Sequence, residues 1–134
     1  MPEALVNVLL VGFGGAVGAI ARYGLTGAAQ RAIGGELGAR YPLGTLAANV
    51  LGCLMAGVVA YFFVDRPVLT PHQRLLLMTG FLGGLTTFSS FGYETAMMAR
   101  GSDWWAAFLN IAANVVLSLA AVWAGWAGSR AVWG

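Results

Sequence analysis

Four runs without a single charged residue leave this chain little choice of fold. They are Ala4–Ala21, Tyr41–Val64, Leu75–Tyr93 and Trp104–Ser129, of 18, 24, 19 and 26 residues. A helix needs about 20 apolar residues to cross the hydrocarbon of a bilayer. In a chain of 134 residues that leaves only short loops and termini. Charged residues make up 9% and hydrophobic ones 59%, far too little charge to cover a soluble domain. The sequence predicts one all-α membrane domain, 1–134, with spans at about 4–21, 41–64, 75–99 and 104–129. The expected location is the cell inner membrane, crossed several times.

Aromatic placement agrees. Trp104 and Trp105 open the last span, and Trp123 and Trp126 lie near its other end. From Trp104 to Trp126 a helix rises about 33 Å, close to the hydrocarbon thickness, and Trp prefers both interfaces. Tyr41 and Tyr61 bracket the second span similarly. The start, Met1-Pro2-Glu3-Ala4, lacks the basic region of a signal peptide. Cys53 is the one cysteine and His72 the one histidine, so disulfide, Cys-rich metal and hydrolytic chemistry have little to work with. A net charge of +2 does not suggest nucleic acid, and no enzymatic activity is expected.

The third span is unusual. Residues 80–91 read Gly-Phe-Leu-Gly-Gly-Leu-Thr-Thr-Phe-Ser-Ser-Phe. Glycines and threonines weaken the helical ladder at the depth where lipid offers no substitute partners, so a break is expected near 83–87. Such a break exposes backbone groups to an ion, a polar substrate or another helix. Polar residues recur on the neighbouring spans. Thr45 and Asn49 lie one turn apart on span two, and Asn110, Asn114 and Ser118 form an i, i+4, i+8 line on span four. A lone membrane Asn is commonly interhelical glue, but two aligned tracks beside a broken helix point to a polar pathway. Its amides and hydroxyls are donors suited to an anion, whereas a cation channel would show rings of Asp or Glu.

Phe88 and Phe91 share a face just after the break, with Ser89 and Ser90 between them. The positive edges of their rings could stabilise a small anion without holding it tightly. Glu94 is the one acid within reach of the membrane interior, and Arg22 is expected to close span one at an aqueous vestibule, concentrating anions there. Small residues form an i, i+4 stripe on span two (Gly44, Ala48, Gly52, Ala56, Ala60) and a shorter one on span one (Gly14, Gly18). They allow close helix approach, within or between subunits.

Four spans place both termini on one side. That side carries Arg66, Arg74, Arg130 and the N-terminal amine; the other carries Arg22, Arg31, Arg40 and Arg100, and there is no lysine. Three arginines against four give almost no orientation bias. Insertion in both orientations, with antiparallel pairing, is expected, because four short helices enclose little interior.

Three stretches carry a family resemblance. Gly14–Tyr23 resembles GGxxGAxxRY, Gly44–Gly52 is similar to GTLxxNxxG, and Gly80–Phe91 resembles GFxGGxTTFSTF, with Ser90 where threonine is common. These are motifs of the Fluc (CrcB) fluoride channels. The resemblance implies an antiparallel dual-topology homodimer with two pores that passively exports cytoplasmic fluoride. It implies Asn49, Phe88 and Phe91 along the anion path, with Thr45, Ser90 and the span-four track in support. It also implies a structural sodium ion, not transported, held on the twofold axis by the backbone carbonyls of Gly83 and Thr86 of each subunit. A rival, a small multidrug exporter of dual topology, needs a proton-exchanging carboxylate, typically in the first helix. Here span one has only Glu3 at its outer end, and Glu94 is in the wrong helix.

Overall fold

The computed structural model describes residues 2–134; Met1, whose amine enters the charge balance, lies outside the described residues. Four helical stretches are long and apolar enough to cross a membrane: Glu3–Ile33, Leu43–Val64, Pro71–Arg100 and Trp104–Trp133. In chain order the elements are α1 (Glu3–Ile33), α2 (Gly35–Arg40), α3 (Leu43–Val64), α4 (Pro71–Arg74), a π-helical segment (Leu75–Leu82), α5 (Gly83–Leu85), α6 (Phe88–Arg100) and α7 (Trp104–Trp133).

The first helix departs from expectation. It has 31 residues, about 46 Å, and does not stop at Arg22. No proline lies between Arg22 and Ile33, so nothing in that stretch removes a bond from the helical ladder. It stops only at Gly34, whose φ of 41° is a conformation that side-chain-bearing residues avoid. Arg22 therefore stands on the wall of a continuous helix rather than at its end. The second span begins at Leu43, after Pro42, and the fourth runs on to Trp133.

The third span opens on a capping box. Thr70 Oγ1 accepts from the Gln73 N–H while the Gln73 side chain accepts from the Thr70 N–H. Helical backbone persists through Gly83 and ends at Leu85. Thr86 (φ −83°, ψ 155°) and Thr87 (φ −150°, ψ 113°) are extended, and α6 starts at Phe88. The non-helical stretch is thus two residues, shorter than the expected 83–87, because the glycines themselves remain helical.

Backbone contact knits the spans together in two pairs. α1 lies on the third span through Gly14, Gly18, Gly80 and Gly84: a Cβ at Gly14 would meet Leu76 O at 2.5 Å, and one at Gly84 would overlap the Gly15 carbonyl. α3 lies on α7 through Gly57, whose Cβ would overlap the Val122 carbonyl, and Gly125, whose Cβ would overlap that of Leu54. This is the close approach that replaces hydrophobic drive in lipid. Gly44 and Gly52 of the span-two stripe also serve contacts within the chain, against the Thr26 backbone and the Thr86 methyl. Large apolar side chains such as Phe13, Ile20, Val116 and Trp123 point outwards, as a lipid-facing surface requires.

Candidate anion site

Two extended threonines in the middle of a span leave backbone groups that need partners. Asn49 supplies them for Thr87. Its Oδ1 accepts from the Thr87 N–H at 2.8 Å, and its Nδ2 donates to the Thr87 carbonyl at 3.2 Å. The side-chain amide pairs with both groups of one extended residue, as a neighbouring strand would. Thr87 in turn caps α6, its Oγ1 accepting from the Ser90 N–H at 3.1 Å.

These two bonds have a further effect. In an uninterrupted helix the Thr87 N–H would donate to Gly83 O, and the Ser90 N–H to Thr86 O. Both donors are diverted, so the carbonyls of Gly83 and Thr86 lose their helical partners. Gly83 is exposed on the single chain and Thr86 half-buried. Among the described residues, the Phe88 and Ser89 N–H groups make no bond back across the interruption either, so the carbonyls of Gly84 and Leu85 are freed as well.

Beside the interruption lies a cavity of about 350 Å³, lined by Asn49, Thr86, Phe88, Phe91, Asn114 and Ser118 among others. The Phe88 and Phe91 rings stand 5.2 Å apart and edge to face, at 62°. Phe91 is only 8% exposed whereas Phe88 is 81% exposed, so one ring is packed in the chain and the other faces away from it. A second cavity of about 660 Å³ collects Arg22, Thr45, Ser90 and Glu94. There Thr45 Oγ1 donates to Glu94 Oε1 at 2.6 Å, while Glu94 Oε2 is buried with no partner. Thr87 lines both cavities.

The span-four residues separate by depth. Asn114 Oδ1 accepts from Asn49 Nδ2 at 2.9 Å, and Asn114 Nδ2 donates to the Asn110 backbone and side-chain oxygens, both at 3.1 Å. Asn110 is buried behind it, absent from both cavity walls, and its Nδ2 donates to Thr95 Oγ1 at 2.8 Å. Ser118 lies on the wall of the smaller cavity. Both N–H groups of Asn49 are occupied by protein acceptors, so an anion gains them only by displacing Thr87 O or Asn114 Oδ1. Sequence reading passed over Thr87, the hub of the interruption, and Thr95. Thr87 is signalled by its place three residues before Ser90, in a helix-capping position; Thr95 by its i+4 spacing from Phe91.

Outside the membrane, the turn into α7 is fixed by Asp103. Its Oδ1 accepts from the Ala106 N–H at 3.1 Å and its Oδ2 meets Arg40 Nη2 at 2.9 Å. The Ala106 N–H first, and Arg40 after it, hold the Asp103 carboxyl below its usual range.

Comparison with known proteins places this architecture. The profile described as "CrcB-like protein, Camphor Resistance (CrcB)" matches residues 9–126. A protein of Solibacter usitatus named "Fluoride-specific ion channel FluC" is 44% identical over 120 residues, covering 90% of this chain and 95% of its own length. Proteins of the same name from Nitratidesulfovibrio vulgaris and Rhizobium johnstonii are each 42% identical, over 126 and 128 residues. They cover 94% and 96% of this chain, and 98% and 99% of their own lengths. With its four apolar helices and with relatives alike over almost their whole length, the chain belongs to the CrcB-like family.

Proposed function

We propose that this protein is a fluoride channel of the inner membrane, passively releasing cytoplasmic fluoride, and not an enzyme. The observation that carries the reading is the cavity at the interruption. The Asn49 amide, the Asn114 side chain from a second helix and two aromatic rings converge there, beside backbone that lipid could not satisfy. Relatives alike over nearly the whole chain bear the name of a fluoride-specific ion channel. Fluoride is small and strongly hydrated, so a pathway has to replace its water with directed donors. Asn49 offers its two N–H groups by exchange, giving up a protein acceptor as the anion arrives and recovering it as the anion leaves. Ring edges of Phe88 and Phe91 add positive charge density without a tight grip. Arg22 raises the local anion concentration in the wider cavity. The exporter alternative is not favoured.

The working unit in this proposal is an antiparallel homodimer of chains inserted in both orientations, with the third helix broken at Thr86–Thr87. The nearly balanced arginines and the outward-facing Phe88 support it. A structural sodium ion fits the released carbonyls of Gly83 and Thr86: these are hard, uncharged oxygens, and a twofold axis would present each one twice. Bound there, its charge would offset the cost of anions nearby in low dielectric.

The test is fluoride efflux from proteoliposomes, with chloride as the control anion. Fluoride should leave far faster than chloride, and equal slow leakage of both would refute the channel. Single cysteines at the termini, in a Cys53→Ala background, should label from both faces of the membrane. Labelling from one face alone would refute dual topology.

A further inference from the structure

Behind the cavity wall, five hydrogen bonds run in one direction across three helices. The Thr87 N–H donates to Asn49 Oδ1, Asn49 Nδ2 to Asn114 Oδ1, and Asn114 Nδ2 to Asn110 Oδ1. Asn110 Nδ2 then donates to Thr95 Oγ1, and Thr95 Oγ1 to the Phe91 carbonyl at 2.8 Å. Both ends are backbone groups whose polarity cannot be reversed: an N–H can only donate and a C=O can only accept. No amide between them can turn over without setting donor against donor or acceptor against acceptor. Asn110 and Asn114 are each 5% exposed, so water does not relieve such a conflict.

We infer that Thr95 and Asn110, neither of which lines the cavities, are positioning residues that hold Asn114, and through it the Asn49 donors, in place for the anion. The inference rests on the channel reading and adds residues to it. Without Thr95 Oγ1, Asn110 Nδ2 has no acceptor. Turning Asn110 over would only set its NH2 against that of Asn114, so its side chain is driven to another rotamer in search of a partner, taking Oδ1 away from Asn114. Asn114 Nδ2 then keeps only the Asn110 backbone carbonyl, so the Asn114 oxygen that orients an Asn49 N–H is less firmly held and that donor becomes disordered. An ordered chain also polarises each successive bond, making the Asn49 N–H a better donor than an isolated amide. The starting point is the Thr87 N–H, so the interruption and the donor orientation are coupled through the same atoms.

Thr95→Val keeps the shape and deletes the hydroxyl, whereas Thr95→Ser keeps the hydroxyl. In proteoliposomes Thr95→Val should slow fluoride efflux about tenfold, the rate equivalent of one buried hydrogen bond, while Thr95→Ser stays near wild type. In ¹⁵N-labelled protein the side-chain amide resonances of Asn114 and Asn49 should move in Thr95→Val and not in Thr95→Ser, a signature that loss of stability alone would not give. If Thr95→Val does not assemble, Asn110→Leu cuts the chain at the next link and should show the same loss of flux. Wild-type efflux from these variants, or slowed efflux with the Asn49 and Asn114 resonances in place, would overturn the inference. Where wild type passes fluoride and Asn49→Asp does not, that result would leave the channel reading standing. A wild-type protein that passes no fluoride would overturn both.

Discussion

Replacing Asn49 by Asp changes one NH2 for one oxygen, and its consequences can be worked through bond by bond. Asn49 Nδ2 gives its two hydrogens to Thr87 O at 3.2 Å and Asn114 Oδ1 at 2.9 Å. A carboxylate sets an acceptor against each. Leaving two buried acceptors unmatched costs about 2–6 kcal/mol, at about 1–3 each. Asn114 cannot repair its end by turning over, since its oxygen would then face the Asn110 oxygens that now accept from it. The Thr87 N–H keeps its partner, so the extended backbone has reason to persist and the fold survives in weakened form. Flux should suffer more. At about 4 Å and an effective dielectric constant of about 20, a carboxylate repels fluoride by about 4 kcal/mol, or about a thousandfold in rate. Fluoride-electrode recordings of efflux from liposomes, on protein shown by size-exclusion chromatography to be assembled, should find Asn49→Asp at the background leak. Efflux at a tenth of wild type or more would refute the placement of Asn49 beside the anion.

Phe88→Ile and Phe91→Ile should each reduce fluoride efflux sharply. Thermal unfolding should separate them, because Phe91 is packed in the chain and Phe88 is not; near-normal efflux from both assembled variants would make the rings structural only. Exchanging sodium for a large organic cation should lower activity and dimer stability, while Thr86→Ala, which keeps the carbonyl, should do less harm than Gly83→Val; full activity without sodium would count against those ligands. The Asp103 carboxyl sits below its usual range. Its contribution to stability is therefore complete above the unfolded value of about 3.9 and disappears as pH falls through the lower folded value. Protection of the Ala106 N–H, its exchange rate taken against the intrinsic rate at each pH, should be flat near neutrality and fall only in that acid window, and Asp103→Ala should abolish the step.

The four spans are legible in the sequence because lipid imposes a simple rule, about twenty apolar residues between charges. Where a helix stops beyond the lipid obeys no such rule. α1 passes Arg22 because nothing local forbids it, and only the backbone of Gly34 ends it. The i, i+4 spacing of Asn110, Asn114 and Ser118 reveals a shared face but not depth, and the structure puts Asn110 behind the other two. Gly57 and Gly125, where α3 and α7 meet backbone to backbone, lie off the stripe that Gly44 begins. Their importance depends on which helix lies opposite. Thr87 and Thr95 read as ordinary threonines until the partners of their hydroxyl and backbone groups are known. Hydrogen bonds between residues 38 or 65 positions apart, such as Asn49 with Thr87 and Asn114, leave no periodic trace.

The π-helical stretch Leu75–Leu82 carries surplus chain. A π turn is an α turn with an inserted residue, and its wider ring absorbs the insertion without disturbing the helix on either side. Losing one residue there lets the stretch relax to α geometry with Pro71–Arg74 and the Gly83–Gly84 pair still in phase. Losing one from α6 instead turns every later side chain by about 100° and carries Phe91 and Thr95 off their face. A change of one residue in the length of the third span is therefore absorbed most readily in the first two turns after Arg74, ahead of the interruption.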